Sequence, residues 1–122
     1  MPRVIKNRRE DTRYDLPRDL GGVIEFDGPD GGRHRLPLAE VSVGGFAFFV
    51  PGGLPGIMTG ATLADAVIRV GRRVMRGNLA VLHVTRGSGS DYKCGVQFFP
   101  ATDSDRNELT SLVSRLEALP TT

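Results

Sequence analysis

The run Arg8-Arg9-Glu10-Asp11-Thr12-Arg13 places Arg9 and Arg13 four residues apart, with Arg8 adjacent. In an extended chain, positions four apart share a face and lie about 13 Å from each other. Such a pair can straddle a flat, doubly charged ligand. Guanidinium groups fork onto phosphate oxygens or the O6/N7 edge of guanine, and they stack on ring faces. A second segment, Glu40-Val41-Ser42-Val43-Gly44-Gly45, sets a carboxylate and a hydroxyl two residues apart, on one face of a strand. The glycines let the backbone turn or approach a ligand closely. A carboxylate can accept from N1 and N2 of guanine, which only guanine among the common bases presents together. Taken alone, each segment also reads as ordinary surface, a solvated charge run and a strand edge with a glycine bulge.

Catalytic constellations are scarce. His34 and His83 have no Cys or carboxylate neighbours at ligand spacing, so each reads as a surface or core histidine rather than a metal ligand. Cys94 falls on the apolar alternation of a strand and reads as a buried small hydrophobe. Ser42 lacks the Gly-x-Ser-x-Gly context of a hydrolase elbow. Gly87-Ser88-Gly89 lacks the further glycine and the lysine of a phosphate loop. Asp27, Asp30, Asp103 and Asp105 sit where turns and a helix cap need them. These readings favour a binding domain without metal over an enzyme.

The elements that must position these groups follow from periodicity. Strands are expected over Leu20–Phe26, Arg33–Val43, Phe46–Val50, Ala61–Val70 (whose composition also admits a short helix), Arg72–Thr85 and Tyr92–Phe99. The glycine- and proline-rich stretches 27–32, 51–56 and 87–91 separate several of them. Leu109, Leu112, Val113, Leu116 and Leu119 recur at helical spacing, which predicts one helix over Ser104–Leu119 with Asp103 to Asp105 as caps. The expectation is an all-β domain, a six-stranded antiparallel barrel with a C-terminal helix. It divides into a basic ligand-binding arm (1–15), the barrel (16–101), and the helix and tail (102–122). Sixteen glycines and eight prolines argue against a helical bundle.

The formal net charge of +2 is too small for a broad nucleic-acid face. Within residues 1–14, however, Arg3, Lys6, Arg8, Arg9 and Arg13 outnumber Glu10 and Asp11 by three, which localises the anion site. No apolar stretch nears the roughly 18 residues of a membrane span. No apolar core follows Met1-Pro2-Arg3, so no secretory signal is read there. A single cysteine permits no internal disulfide. A cytoplasmic location is expected.

Arg9-x-x-x-Arg13 and Glu40-x-Ser42-x-x-Gly45 together resemble the paired signatures of the PilZ domain, a bacterial receptor for cyclic di-GMP. Leu38 to Phe46 resembles that family's second-to-third strand passage, and Tyr92-Lys93-Cys94-Gly95-Val96-Gln97-Phe98 its late strand. The resemblance runs from about residue 7 to 118. It implies cyclic di-GMP held on the outside of the barrel with the arm wrapped over it. Arg9 and Arg13 would then take guanine edges and phosphates, while Glu40 and Ser42 meet a guanine and Gly45 permits a close turn. An arginine at the position of Arg8 implies a stacked pair of ligands. Glu40 departs from the family's Asp or Asn by one methylene, a displacement costing about 1–3 kcal/mol in a close contact. The resemblance also implies a downstream protein target. Two other readings stand beside it: an adaptor that binds a partner protein without nucleotide, and a barrel for single-stranded nucleic acid. The last would interleave aromatics with basic residues, and the phenylalanines here cluster away from the arm.

Overall fold

In the computed structural model, residues 12–17, 20–87 and 91–119 are described. Seven strands and one helix follow in order: β1 (Arg13–Asp15), β2 (Gly22–Asp27), β3 (Arg33–Ser42), β4 (Gly45–Pro51), β5 (Thr62–Val70), β6 (Arg73–Arg86), β7 (Asp91–Pro100) and α1 (Asp103–Ala118). All pairings are antiparallel. Six strands run β3-β2-β5-β6-β7-β4, and pairing of β4 back onto β3 closes the barrel. The six expected strands and the helix are all present, with ends shifted by one or two residues. Val43, expected at the end of a strand, lies beyond β3 and is exposed.

One strand was not expected. Arg13–Asp15, at the end of the expected arm, pairs with β3 in the register Arg13↔Ser42, Tyr14↔Val41 and Asp15↔Glu40. β2 pairs with β3 from Arg33 to Pro37, and β1 takes over beside Glu40 to Ser42. The later half of β3 is therefore hydrogen-bonded on both edges, by β1 and by β4.

Two β-bulges shape the barrel wall around the site. On β3 the register shifts between Leu38 and Glu40. Leu38 and Val41, three residues apart, are consequently both buried, and Glu40 and Ser42 turn outward. On β6 the register shifts between Val81 and His83. Val81 is buried, Val84 packs against the core, and Leu82 stands exposed.

The core joins barrel and helix in one cluster. Ile24, Phe26, Phe48, Met75, Leu79, Val81 and Cys94 meet Leu109, Leu112, Val113 and Leu116 of α1. Full burial of each large apolar side chain contributes about 1.5–3 kcal/mol, and no buried polar or charged residue dilutes the cluster among the described residues. Thr102, rather than one of the aspartates, is the N-cap of α1. Its hydroxyl accepts from the Asp105 amide at 3.2 Å, and the Asp105 carboxylate accepts from the Thr102 amide at 3.1 Å. Leu119 falls beyond the helix and is exposed. Among the described residues, no helix is long and apolar enough to cross a membrane.

Candidate functional site

The floor of the site is a strip of small residues on the outer barrel wall. Glu40 on β3 pairs with Ala47 on β4, Ala47 with Gly95 on β7, and Gly95 with His83 on β6. Gly95 raises no side chain, so a shallow cleft of about 260 Å³ opens at the Gly95–His83 end of this strip, lined in part by Arg13, Ser42, Gly45, His83 and Gln97, with Glu40 beside it. Gly45 has no alternative, because a Cβ there would collide with the Val96 carbonyl oxygen. A Cβ on Gly95 would meet the His83 ring. Ser42 donates a hydrogen bond to the Gly45 carbonyl at 3.3 Å, which ties the two ends of the β3–β4 turn together.

Charge concentrates on one wall. Glu40 is mostly buried, with 14% of its side chain exposed, and forms an ion pair with Lys93 of β7. Arg13 Nη1 stands 4.0 Å from Glu40 Oε1, beyond hydrogen-bonding distance, and Arg13 Nη2 lies 3.3 Å from His83 Nε2 on the opposite wall. Two cations thus flank Glu40, whose cross-strand neighbour on β1 is Asp15. Arg13 is 52% exposed, so its guanidinium remains accessible to an incoming anion. Glu40 Oε1 is buried and has no hydrogen-bond partner. A ligand donor reaches this unfilled acceptor only when a neighbouring side chain moves aside.

Of the residues singled out from sequence, Arg13, Glu40, Ser42 and Gly45 converge on this wall. Arg8 and Arg9 lie outside the described residues. Lys93, Gly95, Gln97, Leu82 and His83 were not foreseen as members. The alternation of β7 puts Lys93, Gly95 and Gln97 on one face, but only the pairing with β4 brings that face beside Glu40. His34, by contrast, is structural: it is 3.0 Å from Asp30 and packs on Phe26 at 5.8 Å between ring centroids. Its hydrogen bond holds the Asp30 carboxyl below the usual range. Among the described residues, no group of three or more His, Cys, Asp or Glu side chains could hold a metal ion.

A closed six-stranded antiparallel barrel with an added strand and a C-terminal helix is a PilZ-like fold. No family model matches the sequence, and no curated protein does. Among solved structures, the chain is similar to MrkH of K. pneumonia in complex with c-di-GMP, with a TM-score of 0.76 and 20% identity, covering 87% of this chain and 51% of that one. It is also similar to the c-di-GMP-bound PilZ domain of YcgR from Escherichia coli, with a TM-score of 0.70 and 14% identity, covering 87% of this chain and 88% of that one. A third structure is the Bacillus subtilis inhibitor of motility MotI/DgrA, with a TM-score of 0.68, 17% identity and coverage of 88% and 51%. The chain spans about half the length of the MrkH and MotI chains.

Proposed function

We propose that this chain is a cyclic di-GMP-binding effector domain whose N-terminal arm closes over the ligand and whose altered surface then engages a target protein in the cytoplasm. The observation that carries this reading is the pairing of Arg13 with Ser42, which brings the end of the arginine motif and the Glu-x-Ser-x-x-Gly strand onto one wall. In this reading Arg8, Arg9 and Arg13 take phosphates and guanine edges, Glu40 and Ser42 meet a guanine, and Gly45 lets the ligand lie close to the barrel. Similar folds described as c-di-GMP complexes support the choice of ligand. The division into an arm (1–15), a barrel (16–101) and a helical tail (102–122) belongs to the same proposal. The ligand acts as a regulator, and no metal is called for.

Calorimetric titration with cyclic di-GMP tests it. A charge-assisted hydrogen bond is worth roughly 1.5–3 kcal/mol, so Arg9→Ala and Arg13→Ala should each weaken binding about tenfold or more. Unchanged affinity in both variants would remove the site assignment. Absence of binding by the wild-type chain, with a partner protein still retained in pull-down, would favour the nucleotide-independent adaptor. The stoichiometry of the same titration decides whether Arg8 accompanies one ligand or a stacked pair.

A further inference from the structure

Glu40 is where this chain departs from the Asp or Asn of the PilZ pattern, and its extra methylene gives the carboxylate an additional torsion to fix. Lys93 supplies the constraint. From β7, where it pairs with Phe49 of β4, it reaches diagonally over β4 to Glu40, which pairs with Ala47, and binds Glu40 Oε2, leaving Oε1 buried without a hydrogen bond. Both groups are largely shielded, with 33% of the Lys93 side chain and 14% of the Glu40 side chain exposed, so the pair is screened less than a surface ion pair. A buried carboxylate oxygen without a donor is costly, and a ligand donor placed there removes that cost. Arg13 is the other cation near Oε1 but stands too far away to donate to it.

We infer that Lys93 is a positioning residue for base selectivity, holding Glu40 so that Oε1, buried and unpaired in the free protein, is the acceptor left for the N1–H and N2–H donors of a guanine once the ligand displaces what covers it. The inference rests on the reading of this wall of the barrel as a cyclic di-GMP site. Lys93 contacts no ligand in this arrangement; it acts through Glu40.

The test compares two ligands on the full chain by calorimetry: cyclic di-GMP and its inosine analogue cyclic di-IMP, which lacks the 2-amino donor. The wild type should prefer cyclic di-GMP by about tenfold, the worth of one well-placed hydrogen bond. In Lys93→Met the preference should fall to about twofold, with affinity for the inosine analogue changed far less. Lys93→Arg should restore the preference. Thermal melts identify any variant that fails to fold, and in that case the wild type and Lys93→Arg are compared with Lys93→Gln. Equal weakening of both ligands would make Lys93 a general cation for the phosphates and overturn the inference. An unchanged preference would overturn it too. A wild type that binds neither ligand removes the cyclic di-GMP reading and this inference together, whereas a wild type that binds with selectivity indifferent to Lys93 removes the inference alone.

Discussion

A methyl group added at Gly45 meets a different obstacle from one added at Gly95. At Gly45 the obstacle is the Val96 carbonyl oxygen, part of a backbone strip paired on both sides. At Gly95 it is the far edge of the His83 imidazole, a side chain that can rotate away. Gly45→Ala should therefore destabilise the barrel by about 2–4 kcal/mol, measured by urea unfolding, because strand backbone must shift. Gly95→Ala should stay within about 1 kcal/mol of the wild type. It should nevertheless weaken cyclic di-GMP binding about tenfold, because the displaced ring narrows the cleft and breaks the contact with Arg13. A Gly95→Ala protein with wild-type affinity would show that the His83 side of the cleft is not used. The two glycines look alike in sequence. Gly45 belongs to a recognisable motif, while the role of Gly95 depends on which strand lies beside it.

Between elements, Asp105 does more than complete a cap. One carboxylate oxygen accepts from the Thr102 hydroxyl at 2.7 Å and from the Thr102 amide, and the other accepts from the Arg76 amide of β6 at 2.9 Å. The cap thus fastens the start of α1 to the barrel strand it packs on. The Thr102 hydrogen bonds, followed by that from Arg76, hold the Asp105 carboxyl below the ordinary aspartate value of 3.8. A depressed folded-state value means that the carboxylate stabilises fully above the ordinary range. That contribution fades as pH falls through the folded-state value. Thr102→Ala should cost about 1 kcal/mol at pH 7. The stability gap between wild type and Asp105→Ala should narrow in acid, and denaturant titrations at neutral and acid pH read it directly. A gap that is constant with pH would mean that the carboxylate carries no part of the link. The Thr-x-x-Asp spacing is present in the chain, yet the two aspartates Asp103 and Asp105 place the expected cap one residue too far along. The second partner, Arg76, is invisible without the tertiary fold.

Cys94 belongs to the core that the whole barrel encloses. It is fully buried on β7, and burial pushes its thiol up to about 11. The reactive thiolate is therefore scarce at neutral pH, and reagents reach the sulfur only through opening of the structure. Labelling with a colorimetric disulfide reagent at pH 8 should be slow and should accelerate with urea in step with unfolding. Saturating cyclic di-GMP should slow it further if the ligand stabilises the closed barrel. A rapid burst from the native protein would contradict the burial. Because the raised value makes the folded state hold the proton longer than the unfolded chain does, stability should decline as pH rises from the ordinary thiol value of 9.0 toward 11.

Local patterning determined much of this protein. Alternating apolar residues marked the six barrel strands, and helical spacing of Leu109, Leu112, Val113 and Leu116 marked α1. Both periodicities are properties of a chain that buries one face, so they survive in the sequence. The bulges at Leu38–Glu40 and Val81–His83 were not read from the chain and became evident only in the cross-strand register. β1 was not legible, since three residues with only Tyr14 half-buried leave no period to read. Nor was the cleft. The arrangement of Lys93 with Glu40, and of His83 with Arg13, depends on strand order and cross-strand register, which bring residues 53 and 70 positions apart to one wall. Sequence spacing encodes which way a side chain faces along its own strand. Only closure of the barrel decides what stands opposite.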